Sequence, residues 1–277
     1  MWFRRRPRPE HELTPLTPYS VDETPATQSP YTEPPTAKPN APNSPMEPRV
    51  RYRQTQQFTP ARRRLARNLV VGAGAPNEGY AVYNHLRTQI LQRLQENHWN
   101  TVAITSPSKS SGNTLTAINL AISIARDYNY TVLVVELDLV NPSFQRILGF
   151  KQRQGIVDHL LHDVPIPEIL LNPGIDRLVV IPAGSPITNS SELLSSPKMS
   201  GLVEELKHRY EDRIVLFDLP PVLTSDHAMA FSPLVDCALL VVEEGETRIN
   251  DVRRALDCLR STNILGVVLN RSIHVET

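Results

Sequence analysis

The sequence contains little cysteine, few aromatic residues and no long apolar run. Its two cysteines, Cys237 and Cys258, exclude a disulfide framework or a cysteine metal cluster, so a reducing compartment is expected. No apolar segment approaches the roughly 18–20 residues that cross a bilayer. The basic start, Met1 to Pro7, has no apolar stretch after it, which indicates that it is not a secretory signal. Basic and acidic residues balance at 29 each, so the net charge gives no information about an anionic partner. The sequence contains no nucleic-acid-binding motif, and we expect no nucleic acid.

Proline and glycine divide the chain into a tail and a globular body. Thirteen of the 25 prolines lie in the first 60 residues, and no glycine precedes Gly72. Residues 1–66 are also poor in Leu, Ile and Val, and such a segment cannot bury enough apolar surface to offset its ordering entropy. We therefore predict a disordered Pro/Arg-rich tail at 1–66 and a folded domain at 67–277. The tail is either a solvated tether or, through its arginines with Trp2 and Phe3, a contact for anionic lipid or an acidic partner.

The periodicity of the body predicts an α/β fold. Residues 78–95 repeat apolar side chains at helical spacing, which predicts an N-terminal helix. From residue 101 onward, short β-branched segments alternate with amphipathic ones, as is typical of a doubly wound, mostly parallel sheet in three α/β/α layers. The predicted strands are 101–105, 131–137, 177–181, 213–217, 238–242 and 265–269, and the predicted helices are 114–126, 197–210 and 249–259. Ligands of such sheets bind at the carboxyl ends of the strands.

The segment 105–114 (TSPSKSSGNT) leads from a predicted strand into a predicted helix. A loop of small residues at this place can receive phosphate on the backbone N–H groups of the helix N-terminus. The P-loop pattern is G-x-x-x-x-G-K-[S/T]. Gly112 and Thr114 fit its last glycine and its hydroxyl, but Asn113 stands in place of the lysine and the first glycine has no counterpart. Taken alone, the segment fits an ordinary strand-to-helix turn equally well.

Three carboxylates follow neighbouring strands. Glu136 and Asp138 are two residues apart at the end of the second strand, so both lie on one side of an extended chain. Asp218 follows the 213–217 strand directly. Acidic groups at strand ends beside a phosphate-type loop indicate a metal–nucleotide site. The simpler interpretation, in which each of them caps a following turn, stays open at this point.

Several long segments in the same order make the chain resemble the bacterial tyrosine kinases (BY-kinases, the CpsD/CapB type), which belong to the MinD/ParA-like P-loop ATPases. The segments include TSPSKSSGNTLTAINLAISIA (105–125), VLVVELDLVNPS (132–143), IPAGSPITNSSELLSSPKM (181–199), RIVLFDLPPVL (213–223) and VDCALLVVEEGETR (235–248). The resemblance implies a P-loop fold that binds ATP or ADP with Mg²⁺. It implies nucleotide contacts at Ser110, Ser111, Gly112, Asn113, Thr114, Leu115 and Asn270, Mg²⁺ contacts at Thr114, Asp138 and Asp218, and catalytic positions at Glu136, Asp138 and Asp218.

The chain departs from the family pattern at the positions that carry its chemistry. The Walker A lysine is Asn113, and the first Walker A′ aspartate, which in the family helps to activate the tyrosine hydroxyl, is Glu136. Asparagine is neutral and shorter, and loss of one preorganised donor costs about 2.7–4 kcal/mol of transition-state stabilisation. Lys109 lies one residue from the place where some of the superfamily carry a second lysine, so we do not expect it to compensate. Ser110 replaces a glycine and is strained if its φ is positive.

Two features outside the site are incomplete as well. In the E-x-x-R-x-x-R motif that supports ring assembly in the family, the first two places read Ala81 and Asn84, and only Arg87 fits. The tyrosine-rich C-terminal tail of the family has no counterpart, so tail autophosphorylation in the family manner is not expected. Tyrosines of the N-terminal tail are alternative acceptors, but we favour no role for them.

The resemblance and its departures together predict a degenerate kinase (pseudo-kinase) of exopolysaccharide or capsule biosynthesis and export. We expect it to regulate or scaffold by docking to a membrane polysaccharide co-polymerase (Wzz-like), with a sibling intact kinase or further copies of itself as other partners. Its expected location is the cytoplasm, peripheral to the inner membrane through that partner, with weak or no binding of ATP or ADP and Mg²⁺. Two alternatives stay open: an active tyrosine kinase or ATPase of the same family with an altered P-loop, and a ParA/MinD-like positioning ATPase.

Overall fold

The computed structural model describes residues 55–72, 78–151, 154–188, 190–209 and 212–272. Its strands are β1 (Gln56–Gln57), β2 (Thr101–Thr105), β3 (Thr131–Glu136), β4 (Leu171–Asn172), β5 (Leu178–Ile181), β6 (Arg213–Asp218), β7 (Cys237–Glu243) and β8 (Asn263–Asn270). Its helices are α1 (Arg62–Arg67), α2 (Glu78–Asn97), α3 (Asn113–Ala125), α4 (Phe144–Leu148), α5 (Ile156–His162), α6 (Ile166–Ile169), α7 (Ser190–Leu194), α8 (Pro197–His208), α9 (His227–Phe231) and α10 (Ile249–Cys258), with a 3₁₀ turn at Ser232–Leu234. The strands and helices predicted for the body are confirmed, with ends shifted by one or two residues. None of the described helices is long and apolar enough to cross a membrane.

The eight described strands form one sheet in the order β1-β4-β5-β3-β6-β2-β7-β8. Neighbouring strands are parallel except for β4 and β5, which are antiparallel. In the middle of the sheet Asp218 of β6 lies opposite Glu136 of β3 on one side and Ile104 of β2 on the other. The carboxyl ends of these three strands therefore meet at one edge. This confirms the predicted doubly wound, mostly parallel, P-loop-like fold.

The central strands are buried because helices cover both faces of the sheet. Alternate residues of β2 serve opposite layers: Ala103 packs with residues of α8 and α10, whereas Val102 and Ile104 pack with α3. Every residue of β2, β3 and β6 is buried. A continuous apolar run, as in TVLVVE of β3, is the sequence pattern that such two-sided burial requires.

Helix α2 packs mainly against α3. Ile90 and Leu94 are buried in the same apolar cluster as α3. The guanidinium of Arg87 donates to the carbonyl of Ser123 at 3.0 Å, and the Ser123 hydroxyl donates to Oδ1 of Asn84 at 3.1 Å. Two of the three positions examined for the family's ring motif therefore contact α3 of the same chain.

Residues 55–66 differ from the prediction, because the composition assigns them to a disordered tail and they are ordered in the structure. β1 pairs in parallel with β4, where Gln56 lies opposite Leu171, and α1 packs against α4. Phe58 meets the ring of Phe150 edge-on, with 5.5 Å between ring centroids. The remainder of the predicted tail, residues 1–54, lies outside the described residues.

The segment 55–72 is hereafter called the anchor segment. It is ordered because its C-terminal end is apolar and forms hydrogen bonds with α3. Val70 and Val71 follow α1 and are buried. Asn119 of α3 accepts the Val71 N–H at 2.9 Å and donates to the Leu69 carbonyl at 3.1 Å. A short apolar anchor of this kind is diluted by the proline-rich residues before it, so average composition does not reveal it.

Candidate functional site

The loop between β2 and α3 has the backbone conformation of an anion-binding turn. Ser110 has a φ of +68° and Gly112 a φ of +92°, and α3 begins at Asn113. A Cβ atom on Gly112 would lie 2.2 Å from Nδ2 of Asn270, a clash that only glycine avoids. Left-handed residues in such a loop let successive N–H groups converge on one anion. Ser110 adopts a conformation that costs a residue other than glycine roughly 1–3 kcal/mol.

The side chain of Asn113 is engaged by the end of β6. Its amide nitrogen donates to Oδ1 of Asp218 at 3.1 Å and to the carbonyl of Leu219 at 2.8 Å. Its carbonyl oxygen accepts the Ser106 hydroxyl at 3.3 Å. Both amide hydrogens are therefore used within the protein, and the buried side chain has no further donor for a phosphate.

Asp218 has a buried carboxylate in which only one of the two oxygens accepts a hydrogen bond from a described residue. Its side chain has no solvent exposure, and Oδ2 has no hydrogen-bond partner among the described residues, whereas Oδ1 accepts from Asn113. Burial raises the pKa of Asp218 well above its usual 3.8, the neighbouring side chains of Thr114 and Asn113 lower it, and the charges of Glu136 and Asp138 raise it further. A buried carboxylate oxygen without a partner is costly unless a cation or a proton joins it.

These residues fit a Mg²⁺ ion. Mg²⁺ takes oxygen ligands, typically one or two carboxylates completed by phosphates and water. Thr114 and Asp138 line a cleft above the loop. Oδ2 of Asp218, which has no hydrogen-bond partner among the described residues, lies at the carboxyl end of β6. No group of three or more His, Cys, Asp or Glu side chains forms a metal site in the described ranges. An ion here would therefore depend on phosphate oxygens for part of its ligand shell.

Glu136 holds two backbone segments together. Its Oε1 accepts the N–H groups of Ser143 and Phe144, the second at 2.7 Å, and its Oε2 accepts the N–H of Ala183 at 3.0 Å. The carboxylate thus caps the start of α4 and fixes the loop after β5. Burial raises the pKa of Glu136 even though the three N–H groups lower it. Both oxygens of this carboxylate are engaged by the protein itself.

A cleft of about 680 Å³ opens above the loop, within the roughly 300–1,000 Å³ of typical small-molecule sites. Its walls are the connection from β3 into α4 on one side and the segment from β6 into α9 on the other. The predicted site residues that line it are Ser110, Gly112, Asn113, Thr114, Leu115 and Asp138. The predicted site residues outside its lining are Ser111, Glu136, Asp218 and Asn270.

Ser111 and Asn270 lie outside the cleft lining and hold the loop in place by hydrogen bonds. The Asn270 amide donates to the Ser111 carbonyl at 2.8 Å, and the Ser111 hydroxyl donates to the Ser108 carbonyl at 3.1 Å. Asn270, which the resemblance implies near the adenine, thus ties the end of β8 to the loop. Asp138 is placed by a local turn, in which its Oδ1 accepts the Asn141 N–H at 3.0 Å.

Sequence reasoning missed two cations in the cleft. Arg146 on α4 and Arg271 after β8 line it together with Lys109 of the loop. The Arg271 guanidinium is paired with Glu243. Neither arginine belongs to a motif that sequence reasoning used, and α4 spans only 5 residues, too few for helical periodicity to show.

A mostly parallel sheet, a left-handed loop at the N-terminus of α3 and a buried aspartate at the adjacent strand end are the features of a P-loop NTPase fold. The family model described as ParA, NUBPL iron-transfer P-loop NTPase, matches residues 97–277. That match covers the whole sheet except the short strand β1.

Relatives and solved structures narrow the assignment. The chain is 31% identical over 194 residues to the tyrosine-protein kinase CpsD of Streptococcus pneumoniae serotype 4, with coverage of 68% of this chain and 82% of CpsD. It is 29% identical over 215 residues to the succinoglycan biosynthesis transport protein ExoP of Rhizobium meliloti, covering 76% of this chain and 27% of ExoP. The kinase domain of the Escherichia coli tyrosine kinase Etk superposes with a TM-score of 0.65 at 26% identity, covering 70% of this chain and 76% of that domain. The chain therefore belongs to the ParA-like P-loop NTPases, in the branch of bacterial tyrosine kinases of the CpsD/CapB type.

Proposed function

We propose that the chain is a degenerate kinase of exopolysaccharide or capsule biosynthesis, which regulates or scaffolds the export machinery without transferring phosphate. The observation that carries this proposal is the state of Asn113. The residue is neutral, and both of its amide hydrogens are given to Asp218 and Leu219. No ammonium group faces the phosphates from the lysine position of the loop.

Phosphoryl transfer depends on positioning and on stabilisation of charge. Removing one preorganised donor lowers a rate by about 10²–10³-fold, and here the missing donor is also a full positive charge. Glu136 adds a second deficit, because it is buried outside the cleft lining and its oxygens accept three backbone N–H groups instead of lying beside a tyrosine hydroxyl in the cleft. When bound, Mg²⁺ would neutralise and orient phosphate oxygens; Thr114, Asp138 and Asp218 are the residues that would hold it.

The kind of partner is inferred from the relatives. ExoP is a biosynthesis transport protein, and the present chain corresponds to about a quarter of its length, 27%. A domain of this type is therefore joined to a longer transport protein in that relative. We infer that this chain docks to a separate membrane polysaccharide co-polymerase, beside an intact kinase or further copies of itself, at the cytoplasmic side of the inner membrane.

A phosphotransfer assay tests the enzymatic part of the proposal. Labelled ATP and Mg²⁺ are added to the wild type, to Asn113→Lys and to the double variant Asn113→Lys/Glu136→Asp, and tyrosine labelling is measured. We expect no turnover by the wild type and a gain in the variants, largest in the double variant. The retained Thr114, Asp138 and Asp218 favour the alternative of an active kinase, and turnover by the wild type at an ordinary enzymatic rate would establish it.

A separate assay tests docking. Membranes with and without the co-polymerase encoded in the same genome are sedimented with the purified chain. Retention only when the co-polymerase is present is the expected result, and equal amounts in both supernatants contradict the docking proposal. Arg253→Ala, which removes an exposed cation from α10, serves as a control for nonspecific adhesion of charge to membranes.

A further inference from the structure

We propose that Lys109 and Arg146, two cations outside the lysine position of the loop, supply the charged side-chain contacts to the diphosphate of a nucleotide in this cleft. The inference rests on the proposed function, because it assigns protein contacts in the same cleft to the ligand class that the fold implies. It concerns binding alone and requires no phosphate transfer.

The first argument is the charge that faces the cleft. Lys109 and Arg146 line it and are exposed, and neither side chain has a hydrogen bond or an ion pair within the part of the chain that the structure describes. Arg271 also lines the cleft but is paired with Glu243. Asp138 is the single carboxylate in the lining among the described residues. The cleft therefore carries an excess of positive charge without an ammonium group at position 113.

The second argument is the loop beneath these cations. Ser110 and Gly112 both have positive φ, a backbone shape that turns N–H groups towards a bound anion. The Asn113 side chain cannot add to this set, because its two hydrogens are already donated to Asp218 and Leu219. A phosphate on the loop would need its remaining charge neutralised from the walls of the cleft, where Lys109 and Arg146 lie.

The third argument is that Arg146 projects from a helix fixed at both ends. Glu136 accepts the N–H groups of Ser143 and Phe144 at the start of α4. Near its other end, the amide of Asn68 in the anchor segment donates to the Ile147 carbonyl at 3.0 Å. A guanidinium on a fixed backbone loses less conformational freedom on binding, which improves affinity. The anchor segment therefore acts as a positioning element for Arg146.

Phosphate is a better match to this site than an acidic side chain. A guanidinium can make two parallel hydrogen bonds to phosphate oxygens, and an ammonium binds phosphate as a point charge. The left-handed loop offers backbone N–H groups at the N-terminus of α3, where the helix dipole also favours negative charge. A carboxylate could satisfy the arginine, but it has too few oxygens to engage the loop and both walls at once.

Calorimetry on the full chain tests the proposal with two probes, Mg-ADP and Mg-pyrophosphate. Charge-assisted hydrogen bonds of this kind support a loss of at least about tenfold in affinity when one is removed. We expect Lys109→Ala and Arg146→Ala each to weaken binding of ADP by about that factor, and the double variant to lose more. Arg146→Lys should retain part of the affinity. Arg253→Ala, which removes the same unit charge from an exposed residue outside the cleft lining, should have no effect.

The two probes distinguish the nucleotide from its phosphates. Tighter binding of ADP than of pyrophosphate, with equal sensitivity to Arg146→Ala, supports a nucleotide held by its diphosphate. Wild-type binding that neither Lys109→Ala nor Arg146→Ala weakens overturns the proposal, and so does absence of binding to millimolar concentration. Both outcomes leave the proposed non-catalytic function intact. Tyrosine labelling by the wild type would instead contradict the proposed function, while an Arg146-dependent affinity would still support this inference.

Discussion

Asn113 donates a hydrogen bond of 3.1 Å to Oδ1 of Asp218, and the second oxygen of that buried carboxylate has no hydrogen-bond partner in the part of the chain that the structure describes. The pair preserves the geometry of a nucleotide site while lacking its cation. A neutral amide can satisfy one oxygen but cannot balance the charge, so the carboxylate depends on a proton or on a cation from elsewhere. This relationship explains how a fold built for phosphate transfer can persist without it.

The pH dependence of stability should reveal this unbalanced carboxylate. The pKa of Asp218 is raised by burial, so the folded state holds its proton at pH values where the unfolded chain has released it. Stability is then highest near or below the ordinary carboxyl pKa and falls as pH rises towards the raised value. Urea unfolding of the nucleotide-free protein should show this fall, and Asp218→Asn should make it shallower.

The pKa of Glu136 is also raised by burial. In Asp218→Asn, the free energy of unfolding should therefore still decrease with rising pH, but by less than in the wild type. The contrary result would be a wild-type stability that increases with pH over this range and a variant with the same slope. Such a result would mean that Asp218 is ionised and compensated in the folded protein.

Ser110 should be a site where glycine stabilises the protein. Its φ of +68° imposes roughly 1–3 kcal/mol of backbone strain on a residue other than glycine. Allowing for the greater freedom of glycine in the unfolded chain, Ser110→Gly should raise the free energy of unfolding by about 1 kcal/mol. Gly112→Ala is the matched control, with the opposite sign, because its Cβ would meet Asn270 at 2.2 Å. Equal stabilities of all three proteins in urea would refute the strained loop.

Glu136→Gln should destabilise the fold although it conserves shape. The carboxylate accepts from Ser143, Phe144 and Ala183, and a glutamine would turn its NH₂ group towards at least one of these donors. An unsatisfied buried donor costs about 1–3 kcal/mol, and we expect a loss of that size in urea unfolding. Glu204→Gln, on the exposed face of α8, should change stability by less than about 0.5 kcal/mol. If both variants unfold alike, the Glu136 carboxylate does not hold the start of α4 and the loop after β5 in place.

The anchor segment should contribute to stability through Val71. The side chain is buried, and truncation removes two methyl groups at about 0.8 kcal/mol each. Val71→Ala should therefore lower the free energy of unfolding by about 1.6 kcal/mol, as measured by urea titration. Val82→Ala on α2, where the valine is exposed, is the control and should cost nothing. Unchanged stability of Val71→Ala would mean that the segment detaches readily from α3.

Much of the fold could be predicted from the sequence, because its central strands are short continuous apolar segments and its longer helices are amphipathic over several turns. β3 and α3 are examples: the predicted strand 131–137 differs from β3 by one residue at its end, and the predicted helix 114–126 differs from α3 by one residue at each end. The short elements were not predicted. β4 and α4 have 2 and 5 residues, too few to show a period, and they are formed by tertiary contacts.

The site was predicted in outline and differs in its details. Spacing alone brought Glu136, Asp138 and Asp218 to one edge, and the resemblance named the loop. The direction of a side chain depends on groups distant in sequence, however. No residue near Glu136 in sequence indicates that the N–H of Ala183, 47 residues later, donates a hydrogen bond to one of its carboxylate oxygens. Likewise Arg146 joins the cleft only because α4 is fixed beside the loop.

The most direct test of the central claim is tyrosine phosphotransfer from Mg-ATP by the purified wild type, measured beside Asn113→Lys in one assay. The account predicts no labelling above background for the wild type and a gain of about 100-fold or more over that level when an ammonium group is returned to position 113. Labelling by the wild type that Asn113→Lys does not increase would contradict the account, because the missing charge would then not limit the chemistry.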